Sequence, residues 1–243
     1  MKKTLLFLLF LISEVAIAQT VLRPGKKLVD RNWIKPGTST MTWYALRGST
    51  RMEMGKVNTT LYIKDHQLIV ETSVKLKGMN GKWVDSTIAD LRTLAPVYHA
   101  STNMQRDITI RFGKLVQGWH YDKMKKKTTE RLDTLERNYF DSNLYPQLIG
   151  WLPLNEGYTA TLNIYDFNPE ARSGVLKAFV KGVKSTTLES ANNGNTDVWA
   201  VTVSDEIGNG ENGESTYYFT KGERILLKQE IRVGNRVMVM ERD

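Results

Sequence analysis

The chain is written mostly in a period of two. Leu68, Val70, Thr72, Val74 and Leu76 alternate with Ile69, Glu71, Ser73 and Lys75, a pattern that sends successive side chains to opposite faces of an extended strand. The same alternation, or a short run rich in β-branched and aromatic residues, recurs at 41–46, 57–63, 108–112, 115–121 and 128–135. It returns at 158–165, 175–180, 185–188, 199–203, 216–220, 225–233 and 237–240. Turn chemistry separates these runs: Asp65-His66, Gly78 with Asn80-Gly81, Gly113-Lys114, the stretch 123–127, Asn192-Asn193-Gly194-Asn195, the loop 208–213, Gly222 and Gly234-Asn235. Residues 20–36 read as an irregular lead-in that crosses one end of a sheet. Residues 82–102 are less regular, with a strand over 84–89 and a loop or bent strand over 91–97 interrupted by Pro96.

One stretch breaks the period. Leu144, Leu148, Trp151 and Leu152 fall at the spacing of one helical face, and Tyr145 and Ile149 add a second apolar row. Asp141, Ser142 and Asn143 precede it as N-cap candidates, Pro146 fits a first turn, and Pro153 ends the run. A helix so short and so apolar has to be enclosed by protein. The fold expected is mainly β: a curved antiparallel meander of roughly a dozen strands, forming a half-open barrel that wraps a short apolar helix. A two-sheet sandwich is the alternative. With no break in composition and no repeat, residues 19–243 are expected to form a single domain.

Residues 1–18 read differently. Lys2 and Lys3 precede an apolar run over 5–12, and Ala16-Ile17-Ala18 supplies a small-x-small cleavage site. The apolar run is shorter than the ~20 residues a membrane span requires. A cleaved signal peptide is therefore expected, with the protein in the periplasm of a Gram-negative envelope. No cysteine occurs, which excludes disulfides, thiolate catalysis and an acylated lipoprotein anchor together. The full chain carries a formal charge of +8, of which Lys2, Lys3 and Glu14 account for one unit. A basic exported protein without a nucleic-acid motif points to anionic lipid or glycan rather than nucleic acid as a partner.

Candidate chemistry is sparse. His66, His99 and His120 lack metal-ligand spacing, so no metal or cofactor is expected. Asp85-Ser86, Asp90, His99 and Ser101 could supply a Ser-His-Asp set, but no GxSxG elbow accompanies them. Glu130, Asp133, Glu136 and Asp141 lie among Lys and Arg, a pattern of solvated ion pairs. No catalytic residue is assigned. The tip 123–127 places Lys125, Lys126 and Lys127 where they either protect a sheet edge or contact an anionic membrane or partner.

The run from Tyr139-Phe140-Asp141-Ser142-Asn143 to Trp151-Leu152-Pro153-Leu154 and Gly157-Tyr158, together with 224–231 and Met238-Val239-Met240, resembles an uncharacterised bacterial envelope family of unknown function. In architecture the pattern is similar to the half-open barrels of periplasmic lipoprotein carriers, which implies shelter for an acyl chain. On that reading Leu144, Tyr145, Leu148, Trp151, Leu152 and Tyr158 line or plug a ligand cavity, and the protein is a monomeric lipid-binding carrier. The alternative is an envelope interaction protein with a filled core and a basic rim.

Overall fold

The computed structural model describes residues 21–25, 27–136, 138–190, 194–207 and 213–243. The leader assigned to 1–18, and positions 192–193 and 208–212 of two expected turns, lie outside the described residues. The first half of the chain gives β1 (Val21–Leu22), a 3-10 turn (Arg31–Trp33), β2 (Gly37–Arg47), β3 (Thr50–Lys64), β4 (Gln67–Leu76), β5 (Trp83–Asp90), β6 (Pro96–Thr102), β7 (Arg106–Arg111), β8 (Leu115–Asp122) and β9 (Lys127–Thr134). Then come β10 (Phe140–Asp141), helix α1 (Tyr145–Trp151), β11 (Ala160–Asp166), β12 (Gly174–Ser190), β13 (Gly194–Asp205), β14 (Glu214–Thr220), β15 (Leu226–Val233) and β16 (Arg236–Arg242).

All sixteen strands belong to one curved sheet, not to a sandwich. Two antiparallel meanders, β2 to β9 and β11 to β16, are joined edge to edge where β16 pairs with β2, Met240 opposite Trp43. At the far flank β1 and β10 lie parallel to β11 and occupy successive stretches of its edge, Val21 opposite Thr161 and Phe140 opposite Ile164. No backbone ladder joins β9 to β11 among the described residues. Side chains close that gap: Tyr165 on β11 donates its phenol to Asp133 on β9 at 2.7 Å. Beneath it Phe112, Tyr139 and Tyr165 pack ring against ring at centroid distances of 5.4 to 6.1 Å.

The elements depart from the sequence expectation in three instructive places. Residues 91–95 form the turn and loop expected there, but Pro96 opens strand β6, which continues to Thr102 where no strand was expected; at a first residue its missing N–H disturbs no ladder. Segments 175–180 and 185–188 are one strand, β12, which bends at a bulge between Val180 and Gly182 instead of ending. The three N-cap candidates do not cap α1; Leu144 stands at the cap position with no side-chain bond to the helix.

Helix α1 fills the interior. Leu144, Leu148, Ile149 and Leu152 are fully buried and share one core cluster with Leu68 and Val70 of β4 and with Val201, Val203 and Phe219 of β13 and β14. Each such side chain taken from water contributes about 1.5–3 kcal/mol. The fit is close: a Cβ added at Gly150 would lie 2.7 Å from Phe219 Cε1. Tyr145 is tied by its phenol to Asp205 on β13. The 3-10 turn packs against α1, and Trp33 lies under the Arg224 guanidinium at 4.3 Å.

Candidate functional site

Asp141, at the end of β10, is fully buried. Its carboxylate is met from three directions: Thr87 Oγ1 on β5 donates to Oδ2 at 2.6 Å, His99 Nδ1 on β6 lies 3.0 Å from the same oxygen, and the Asn143 backbone N–H reaches Oδ1 at 3.2 Å. Asn143 also donates its side-chain amide to Thr87 Oγ1 at 3.0 Å, and Ser142 Oγ donates to Asp166 Oδ1 at 2.8 Å. The Asp-Ser-Asn triplet read as a helix cap is thus a polar knot that ties the helix entry to β5, β6 and β11. Reading Asp141 as a solvated ion-pairing acid was wrong, since parallel pairing of β10 with β11 carries it inside the barrel.

His99 is almost entirely enclosed. Burial alone would push its pKa down; the charge and hydrogen bond of Asp141 outweigh this, with Asp85 and Asp166 adding, and the pKa lies above 6.5. Burial pushes the Asp166 carboxyl up, and the bond from Ser142 offsets part of that. His99 opens onto a cavity of about 240 Å³, with Asp85, Ser101, Arg106, Ser142, Asn143 and Asp166 among its polar lining and Trp83, Ile108 and Phe167 among its apolar walls. Trp83 Nε1 donates to Asp85 Oδ1 at 2.8 Å and to Ser101 Oγ at 3.1 Å.

Of the residues considered for a Ser-His-Asp set, Asp85, His99 and Ser101 do share this cavity. Asp90 instead accepts from the backbone and hydroxyl of Thr93 in the turn after β5. The acid that orients His99 is Asp141, and nearby hydroxyls point elsewhere: Ser142 donates to Asp166, Thr87 to Asp141. A dyad is built; a serine nucleophile hydrogen-bonded to the imidazole is not among the described contacts. No group of three or more His, Asp or Glu is placed to hold a metal among the described residues.

A second cavity, about 430 Å³, is lined by Trp43, Val74, Leu76, Met79, Met104 and Met124, with Trp83 again in its wall and Lys82, Asn103 and Gln105 as its polar margin. Met79, Met104 and Met124 are 51%, 60% and 79% exposed. Leu144, Tyr145, Leu148, Trp151 and Leu152 line neither of these two cavities; they are packed in the core, and Tyr158 packs half-buried against it. Lys125 is paired with Asp122 and Glu170 at 3.2 and 3.3 Å. Lys126 and Lys127 are exposed at the tip of the β8–β9 hairpin. Asp122 shapes that tip by accepting the backbone N–H groups of Met124 and Lys125. Two methionines and the Asp141 link escaped the sequence reading because isolated Met residues carry no period, and a pair 42 residues apart has no spacing to recognise.

The sheet, its plug and these cavities define a barrel-like β protein with an interior filled by a helix and open cavities beside it. The chain belongs to the family described as Protein of unknown function (DUF3108), whose pattern matches residues 38–241. The crystal structure of a beta-barrel-like protein of domain of unknown function DUF1849 from Brucella abortus is similar in fold, with a TM-score of 0.54 and 11% identity, covering 90% of this chain and 98% of that one. Such a likeness carries the fold alone. No curated protein matches the sequence. No helix among the described residues is long and apolar enough to cross a membrane.

Proposed function

We propose that this is an exported periplasmic binding protein that holds the acyl chain of a lipid in the methionine-lined cavity. The observation that carries the reading is the cavity itself: about 430 Å³ of space, walled by Trp43, Val74, Leu76 and three exposed methionines. That volume lies within the range of small-ligand pockets. Unbranched, polarizable thioethers adapt to chains of varied shape, which suits a carrier better than a rigid aliphatic wall. The chain therefore sits beside the helix plug and not against it. The leader-like residues 1–18 support export.

The basic hairpin supports a membrane encounter. Met124 lines the cavity and is followed at once by Lys125, Lys126 and Lys127, so a tip drawn to anionic headgroups brings the cavity mouth to the bilayer. The rival function, an interaction protein with a filled core, draws on the packed helix and the same tip.

Uptake of a fluorescent fatty acid by delipidated protein tests the carrier reading. Saturable binding that Met104→Asp weakens by about tenfold is expected. Absence of uptake by the unaltered protein overturns the reading in favour of the filled-core alternative.

A further inference from the structure

The two cavities share a wall. Trp83, at the start of β5, borders the methionine-lined space and the polar space around His99. Its indole N–H is engaged by Asp85 and Ser101 on the polar side, so one residue of the shared wall carries its polar edge towards the His99 space. A ligand with an apolar chain on one side of that ring has a polar end within reach of the other.

The chemistry of the polar cavity narrows what that end is. Asp85 and Asp166 offer acceptors, Arg106 and Asn143 offer donors, and Ser101 and Ser142 can act as either. An anionic head meets the carboxylates of Asp85 and Asp166, with Asp141 behind His99. A cationic head meets the Arg106 guanidinium and an imidazole held towards its charged form by Asp141. A neutral head bearing several hydroxyls conflicts with neither sign, because each hydroxyl donates to a carboxylate or accepts from an N–H. Trp83 and Phe167 supply flat apolar surfaces of the kind that pack on the C–H faces of a ring. At about 240 Å³ this cavity is smaller than a typical complete ligand site, whereas the two cavities together fall within that range.

We propose that the polar cavity bounded by Asp85, His99, Arg106 and Asp166 is the headgroup subsite of the ligand whose chain occupies the methionine-lined cavity, and that it selects an uncharged, hydroxyl-rich head such as a glycosyl unit. This rests on the chain-binding reading above and adds the class of lipid. In it Asp141 is a positioning residue, holding His99 directly and Asn143 both directly and through Thr87.

Calorimetric titration of the full chain with decyl glucoside, decanoate and decylammonium, all below micelle formation, tests it, with methyl glucoside as the chainless probe. Decyl glucoside is expected to bind about tenfold tighter than either charged probe. Asp166→Ala and, as a variant outside the Ser142 contact, Arg106→Gln should each weaken decyl glucoside binding about tenfold, while decanoate binds Asp166→Ala no more weakly than the unaltered protein. Equal affinity for the three decyl probes overturns the headgroup subsite and leaves the chain-binding reading standing. Failure of every decyl probe overturns the chain-binding reading and the joint ligand with it. Methyl glucoside binding that Asp166→Ala abolishes would then still support the polar subsite.

Discussion

Tyr165 and Asp133 stand 32 positions apart in the chain and meet at 2.7 Å across the flank where β9 and β11 run without a shared ladder. Asp133 is held at the same time by Arg131 Nε at 2.6 Å. Although burial pushes the Asp133 carboxyl up, these two donors prevail and its pKa lies below the usual range. The seam therefore rests on a few side chains over an aromatic cluster.

Tyr165→Phe keeps the ring and deletes the hydroxyl. Loss of this charge-assisted bond should lower stability by about 1.5 kcal/mol, read as an earlier urea midpoint with an unchanged slope. A midpoint equal to that of the unaltered protein would show that the seam is held by ring packing alone.

Gly150→Ala sets two effects against each other. Alanine favours a helix over glycine by about 1 kcal/mol, but its methyl would sit 2.7 Å from Phe219 Cε1 and 3.0 Å from Cδ1. Overpacking of this kind costs about 1–3 kcal/mol, so the variant is expected to be net destabilised. Phe219→Leu in the same chain should recover part of the loss; a thermal melt of the single and double variants decides.

Asp141→Ala should be among the most damaging single changes. It leaves the Thr87 hydroxyl, the His99 imidazole and the Asn143 N–H without their shared acceptor at a buried site, at a cost of about 3 kcal/mol or more. Denaturant unfolding measures this, and a loss below about 1 kcal/mol would mean that water enters the knot freely.

His99 gives a pH dependence of definite sign. Its folded pKa is raised above 6.5 by Asp141, Asp85 and Asp166, against the effect of burial; Arg106, on the same cavity, is the opposing charge. A raised histidine contributes stability that is fully present below the unfolded value of 6.5 and is lost as pH climbs through the folded one. Unfolding midpoints should fall as pH rises past 6.5, and His99→Gln should flatten that slope. An NMR titration placing the His99 midpoint at or below 6.5 would contradict this.

At the β8–β9 tip the three lysines are not equivalent. Lys125 already answers Asp122 and Glu170, whereas Lys126 and Lys127 lie exposed. Lys126→Glu with Lys127→Glu should cut sedimentation with anionic vesicles more than Lys125→Glu does, at about 1 kcal/mol per basic residue removed from the surface. No loss would detach the tip from membranes, and equal losses would mean that the pairing of Lys125 with Asp122 and Glu170 does not withhold it from them.

How much of this was legible beforehand depended on the distance over which each signal acts. The period of Leu68 to Leu76 fixed β4 because alternation is local, and the apolar rows of Leu144 to Leu152 announced an enclosed helix for the same reason. Pro96 was read as an interruption and is the first residue of β6, and the gap read between 180 and 185 is a bulge inside β12, because in each case the surrounding sheet chooses between a stop and a continuation. Asp141 was readable as a cap from its neighbours alone. Its engagement with His99 and Thr87 arises from β10 docking on β11, a decision made far away in sequence.

The pairing of β16 with β2 has a consequence for how the molecule comes into being. Met41 and Arg242 are register partners, so the earlier meander must wait, with an unsatisfied strand edge, until nearly the whole described chain has been made. Closing so large a loop is slow compared with zipping neighbouring hairpins. On that topology the two half-sheets meet late, and until they do the β2 edge is open to a chaperone or to an unwanted second copy.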